Sequence, residues 1–196
     1  MNFLEDKSFI TVKDFSVSGE SFSLLHNEAY DLLKTHPQPS LERLPSYYES
    51  EDYISHTDGK RTLFEKMYHL VKSNAIKNKV KLINQWHPKK GTLLDIGAGT
   101  GDFLLEAKKQ NWITTGIEPN DKAKQIAIQK GVSFGTNLEE LANESFDVIS
   151  MWHVLEHVPN LEEQIAILKR LLKPNGTIII AVPNFKSYDA KYYKNF

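Results

Sequence analysis

The sequence predicts an α/β fold in which a parallel sheet is covered by helices on both faces and preceded by a smaller N-terminal part. Three observations carry this. From residue 91 onward, short apolar runs alternate with segments of helical period. Glycines stand at alternate positions, Gly97, Gly99 and Gly101, between the first of these runs and the helix after it. The 196 residues, 40% hydrophobic and 25% charged, are ample for one packed core with a modest appendage.

Taken in order, residues 8–25 hold two strand-like runs, Phe9 to Val17 and Phe22 to Leu25, around Ser18-Gly19, where glycine can supply the positive φ of a tight turn. Asn27 to Lys34 reads as a short helix stopped by Pro37 and Pro39, a boundary because proline excludes helix and disfavours central strands. A polar aromatic stretch follows, with Tyr47, Tyr48, Tyr53 and His56. A helix is expected from about Thr57 to Trp86, with Leu63, Met67, Leu70 and Val71 at helical spacing. Ser73-Asn74 is a candidate break, and Ile76, Val80 and Ile83 a less regular continuation. The chain is thereby divided into an N-terminal segment (1–45, hairpin plus short helix), a helical cap (46–88) and a sheet domain (89–196).

Within the last part, Thr92 to Ile96 is the first strand and residues 102–110 the first helix. Ile113 to Ile117 is the second strand, followed by a helix over 121–130 with Gly131 as its left-handed C-cap. Val132 to Phe134 is a very short third strand and Phe146 to Met151 a fourth. Asn160 and Glu163 form an approximate capping box for a helix that places Leu161, Ile165, Leu168 and Leu172 on one face. Pro174-Asn175-Gly176 then turns the chain into a fifth strand, Thr177 to Val182.

The glycine loop lets a ligand approach the backbone without Cβ atoms in the way, although a plain structural turn would use the same residues. Its place between strand and helix favours a nucleotide site. The dinucleotide fingerprint needs glycine or alanine at its sixth position, where this chain has Asp102. A carboxylate there occupies the positive end of the helix dipole and repels phosphate, so a cofactor with a sugar and no phosphate suits the loop better. Glu118, at the end of the second strand, is placed to accept hydrogen bonds from ribose hydroxyls, or else is a solvated loop acid.

Three segments in order, Asp95-Ile96-Gly97-Ala98-Gly99-Thr100-Gly101, Gly116-Ile117-Glu118-Pro119-Asn120 and Trp152-His153-Val154-Leu155-Glu156-His157-Val158, resemble signatures of the class I S-adenosylmethionine-dependent methyltransferases. The likeness is greatest to the bacterial branch that includes ubiquinone- and menaquinone-type methyltransferases, and it covers residues 90–184. It implies a Rossmann-like sheet of strand order 3-2-1-4-5, with the backbone of Gly97, Ala98, Gly99, Thr100 and Gly101 cradling the methionine part of the cofactor and Asp95 organising the loop. Glu118 would hold the ribose, Pro119 would lie along the adenine, and Asn137 and Leu138 would edge it. Trp152 and His153 would face cofactor and acceptor. Tyr47, Tyr53 and His56 would close as a lid or simply pack within the cap, with Arg61 as the nearest cation for a carboxylate.

The implied reaction is methyl transfer to a small molecule, with oxygen favoured as the acceptor atom by the same resemblance. Holding donor and acceptor in line is then the main catalytic contribution. His153 is the first candidate base for an acceptor hydroxyl. His157, four residues on, either shares a helical face with it or caps and packs beside Glu156. No metal site is expected. A nicotinamide-dependent oxidoreductase, disfavoured by Asp102 and the His-Val-Leu-Glu-His segment, and a non-catalytic S-adenosylmethionine-binding module are the rival readings.

Composition narrows the partners. Twenty-four basic against 25 acidic residues leave no basic footprint for nucleic acid or an anionic membrane, and the absence of cysteine excludes disulfides and thiolate chemistry. No apolar run is long enough to span a bilayer, and the acidic start lacks a signal-peptide pattern, so a cytoplasmic protein is expected. The family's sheet has two further strands, six and seven, for which the sequence has no room, so the domain reads as C-terminally truncated. The alternative is a natural short form. In the first case the apolar fifth strand is an uncovered edge through which a homodimer could form; in the second, residues 185–196, the N-terminal segment or a second subunit would cover it.

Overall fold

The computed structural model describes residues 7–15, 17–40, 42–44, 47 and 63–193. They fall into two compact units: the described residues up to 47 together with those from 183 onward, and the residues between. In the first unit, β1 (Lys7–Lys13), β2 (Ser21–Asn27) and β3 (Leu32–His36) form an antiparallel sheet in sequence order. The short helix expected over Asn27 to Lys34 is instead the turn and return strand of a hairpin, pairing Asn27 with Leu32 and Leu25 with Lys34. The buried Asn27 decides this, because its Oδ1 accepts the Tyr30 N–H at 3.1 Å and makes a local turn that competes with helix. Gly19 has φ +68, as the turn between β1 and β2 requires. Phe9, His26 and Phe185 cluster with ring centroids 5.6–6.0 Å apart, tying the segment after residue 183 to this sheet.

The second unit begins with α1 (Leu63–Trp86), which runs unbroken through Ser73-Asn74. Among its described side chains Val80 and Ile83 are buried, whereas Met67, Leu70 and Val71 are exposed, so the core stripe described lies in the later turns. The elements that follow are β4 (Thr92–Ile96), α2 (Asp102–Lys109), β5 (Ile113–Ile117), α3 (Asp121–Gln129), β6 (Phe146–Trp152), α4 (Leu161–Leu171) and β7 (Leu172–Ala181); a further short helix in the first unit, α5 (Tyr188–Tyr193), comes last. Gly131 has φ +90 just after α3, as its C-cap role requires. The sheet is parallel, in the order β5-β4-β6-β7. The expected third strand reduces to a single parallel bridge from Phe134 to Gly116, because only that residue reaches β5 in register. Pro174-Asn175-Gly176 lies inside β7 and not before it; the ladder to β6 is interrupted there and resumes at Val148 with Thr177. Among the described residues β7 is the outer strand on that side.

Strand alternation distributes the core. Leu93 and Val148 point to one face, packed with Val80, Ile83, Phe103, Leu104 and Ala127, while Leu94 and Ile149 point to the other, with Leu168 and Leu171. The buried stripe of α4 is Gln164, Leu168 and Leu171, one step round from the Leu161, Ile165, Leu168 and Leu172 face that its sequence suggests. Asn160 does cap this helix, its Oδ1 accepting the Glu163 N–H at 3.3 Å.

Candidate functional site

Parallel strands deliver their C-terminal ends to one edge of the sheet, and a crevice there is where such folds bind ligands. At that edge Ile96, ending β4, leads into the glycine loop, and Ile117, ending β5, accepts the N–H groups of Gly97 and Ala98 at 2.8 and 3.1 Å. The loop is therefore fastened to β5 by its own backbone. Gly99 and Gly101 both have positive φ, +53 and +78, but serve different ends. A Cβ on Gly101 would stand 2.6 Å from Val132 Cγ2 and 2.9 Å from Ala127 Cβ, so that glycine lets α2 and α3 meet. A Cβ on Gly99 would meet nothing within 4 Å: the space before it is open.

Glu118 is buried and faces the loop. Its Oε2 accepts the Gly99 N–H at 2.7 Å and its Oε1 the Asn120 N–H at 2.8 Å, while Asn120 caps α3 through the Ala123 N–H. Each carboxylate oxygen keeps lone-pair capacity for a further donor. Pro119 beside it is exposed.

Asp95 lies under the loop, 3% exposed, and pairs across the ladder with Ser150, whose hydroxyl donates to Asp95 Oδ1 at 2.7 Å. Burial pushes its carboxyl up to about 7, against the opposing effects of the Ser150 hydrogen bond and the charge of Lys79, with the negative Glu118 adding to the rise. Lys79 comes from α1. Burial lowers its pKa, Asp95 opposes that, and its Nζ sits 4.5 Å from the centroid of the Trp152 ring. Trp152 also meets Phe103 edge-on, centroids 5.7 Å apart, and its indole N–H is buried without a hydrogen-bond partner. An orphaned donor is costly by itself and calls for an acceptor, which the neighbouring Lys79 cation allows to be negatively charged.

The two histidines are not on one α-helix. His153 has φ +58 and follows β6, its N–H donating to Ala181 O at 2.9 Å, while His157 ends a short 3₁₀ turn, Leu155–His157. The His153 side chain is two-thirds exposed, with Nδ1 3.5 Å from Glu156 Oε1. Positive φ at a non-glycine residue is a strained position of the kind found at functional sites. Asn137 Oδ1 accepts the Glu140 N–H at 2.8 Å and its Nδ2 donates to Glu140 Oε1, so its amide is engaged locally. Leu138 packs against the Leu94 side of the core. Tyr47 donates to Glu20 Oε2 at 3.1 Å within the first unit; Tyr48, Tyr53, His56 and Arg61 lie outside the described residues.

Asp102 is at the start of α2 as expected, but Lys72 and Lys130 each place Nζ 2.7 Å from its carboxylate. Its charge is compensated, which removes the repulsion of phosphate as a reason to exclude a dinucleotide. The residues that reading by motif missed are Lys79 and Ser150. Each carried a signal: a lysine inside the Ile76-Val80-Ile83 stripe, and a serine inside the apolar strand Phe146–Trp152. Among the described residues no group of three or more metal-ligating side chains occurs, and no helix is long and apolar enough to cross a membrane.

The model of a family described as a methyltransferase domain matches residues 64–196. Two curated relatives, ubiquinone biosynthesis O-methyltransferases of Pasteurella multocida and Haemophilus ducreyi, are 32% and 38% identical over 111 and 107 residues, each covering 47% of this chain. The matches take in 46% and 45% of those proteins, so the chain spans about half the length of the curated relatives it matches. A solved S-adenosylmethionine-dependent methyltransferase from Thermotoga maritima, described as a histamine N-methyltransferase candidate, superposes with TM-score 0.53 at 27% identity, covering 66% of this chain and 61% of that one. With the family model spanning the glycine loop, Glu118 and the strands that carry them, the chain belongs to the methyltransferase-domain family.

Proposed function

We propose that this protein is an S-adenosylmethionine-dependent methyltransferase that acts on a small molecule, at oxygen. The observation that carries the reading is the open space before Gly99 with the buried Glu118 carboxylate pinned across it. The cofactor's features match what this edge offers. Glu118 has lone pairs left for ribose hydroxyls, and the open space before Gly99 leaves room for the methionine portion. Lys79 and the unpartnered Trp152 N–H supply the cation and donor that a carboxylate needs. Lys79 thus takes the part that the sequence suggested for Arg61. Pro119 and Leu138 provide apolar surface for the adenine. Asn137 would receive an adenine amino group only through a second lone pair, its first being given to Glu140.

Bound S-adenosylmethionine supplies a methyl group on a sulfonium whose leaving group is neutral. The protein's task is to orient the acceptor and manage its proton. His153, exposed at the end of β6 and 3.5 Å from Glu156, is the residue proposed to take a proton from an acceptor hydroxyl; His157 is assigned no part in that step. Oxygen as acceptor atom rests on the names of the curated relatives, and an amine is the competing choice, given the Thermotoga neighbour. The test is transfer of a labelled methyl group to matched panels of hydroxyl- and amine-bearing small molecules. Labelled ethers, lost in His153→Ala while cofactor binding persists, are expected. Labelled amines alone would overturn the oxygen assignment, and cofactor binding without any product would favour a binding module. We also propose a homodimer through β7, which has no charged residue from Pro174 to its end and leaves Ile180 39% exposed. Sedimentation of the parent chain as a dimer and of Ile180→Lys as a monomer is the expected result.

A further inference from the structure

We propose that Lys72, Asp102 and Lys130 form a charge clamp that positions the glycine loop and couples α1 to cofactor binding; the coupling rests on the assignment of that loop as the cofactor site. Asp102 Oδ2 meets Lys72 Nζ at 2.7 Å and Oδ1 meets Lys130 Nζ at 2.7 Å. Lys130 Nζ also donates to the backbone carbonyl of Thr100 at 3.2 Å, and the Thr100 hydroxyl donates to Asp102 Oδ2 at 3.3 Å. One carboxylate thereby joins three separated segments: α1, the loop at the start of α2, and the residue that ends α3.

The loop needs such fastening. Glycine at alternate positions makes the backbone permissive, and permissiveness costs order unless other groups restrain it. Gly101 is the N-cap of α2 and has no side chain with which to cap it. Glu118 holds Gly99 from β5 and Lys130 holds Thr100 from α3, so the loop is restrained on two sides by charged groups outside it. The third restraint leads to α1. Around Lys72 that helix exposes Leu70 and Val71, 71% and 64% accessible, so these two apolar side chains do little to attach this turn. Lys72 is half-buried at its ion pair and supplies the attachment instead. An isolated surface pair would contribute little, but two cations sharing one partly buried carboxylate lose less side-chain freedom per bond and are screened less. Burial alone would raise the Asp102 pKa; the hydrogen bonds from Lys130 and Lys72 outweigh it and hold the carboxyl below its ordinary range, so it is charged at neutral pH. By reciprocity, a ligand that orders the loop must tighten α1, and loss of Lys72 must weaken the ligand. Lys72 and Lys130 are positioning residues, acting through the Asp102 carboxylate and the Thr100 carbonyl.

The experiment titrates S-adenosylhomocysteine into the parent, Lys72→Met, Asp102→Asn, the double variant and Lys72→Arg, at low and high salt, and follows amide exchange over residues 67–75. Each single variant is expected to bind about 3- to 10-fold more weakly at low salt. The double variant should be no weaker than Asp102→Asn alone, Lys72→Arg should restore affinity, and high salt should shrink the differences. Ligand should slow exchange over 67–75 in the parent and not in Lys72→Met. Additive losses, or Lys72→Met binding like the parent at low salt, would overturn the clamp. Should the parent fail to bind the nucleoside, the cofactor assignment falls and the clamp is judged on ligand-free exchange. Faster exchange in Lys72→Met and Asp102→Asn, without further gain in the double variant, supports the clamp; unchanged exchange overturns it.

Discussion

Two aspartates on neighbouring strands sit at opposite ends of the parallel sheet and meet opposite surroundings. Asp147, near the start of β6, accepts from the Thr92 N–H, the Thr92 hydroxyl and Lys173 Nζ, all at 2.8 Å. Burial works against its ionised form, but the hydrogen bonds from Lys173 and Thr92 prevail and bring its carboxyl down to about 2. Asp95, near the end of β4, has the Ser150 hydroxyl as its close donor and is pushed up to about 7. The same residue type is a satisfied fastener at the base of the sheet and an under-satisfied carboxyl at the edge where the site lies. That contrast teaches where this fold spends stability: strand order is secured at one end, and unmet hydrogen-bonding capacity is concentrated at the other.

The largest expected effect is on pH dependence. Asp95 binds its proton more tightly folded than unfolded, so its stabilising contribution is complete below about pH 4 and is lost as pH rises towards 7. The stability of Asp95→Asn minus that of the parent should therefore grow by an amount on the order of 4 kcal/mol between pH 4 and pH 8, read by urea unfolding. A difference independent of pH would break the comparison. Next, Gly101→Ala should cost about 3 kcal/mol, combining left-handed strain with overpacking, and Gly99→Ala about 1 kcal/mol from strain alone. Equal costs would deny the open space at Gly99. Asp147→Asn should cost about 2 kcal/mol at neutral pH. The sign is opposite to that at Asp95: the parent's advantage is present above about pH 4 and disappears as pH falls through 2. Glu118→Ala should weaken S-adenosylhomocysteine about tenfold and, by leaving the Gly99 and Asn120 N–H groups without their acceptor, also cost about 1 kcal/mol in unfolding.

The glycine loop was legible because its backbone requirement is written in residue type, and the alternation of apolar runs with helical segments revealed a sheet covered on both faces, as Leu93 and Val148 on one side and Leu94 and Ile149 on the other bear out. Other features were hidden for identifiable reasons. Asn27 lies in a segment of helical spacing, and only its side-chain bond to the Tyr30 N–H shows that the chain turns. Asp102 was judged by its neighbours in sequence, whereas the lysines that neutralise it stand about 30 residues away on either side. Lys79 in an apolar helical stripe reads as an amphipathic side chain reaching water. Its burial against Trp152 becomes visible only when β6 and α1 are brought together.

The most direct test of the central claim, that the edge formed by the glycine loop and Glu118 is an S-adenosyl site, is isothermal titration of the chain with S-adenosylhomocysteine, with NADH as control. The account predicts saturable one-site binding of the first, lost in Gly99→Arg, and no heat from the second. A folded chain that binds NADH, or that binds the nucleoside equally well with Gly99→Arg, would contradict it.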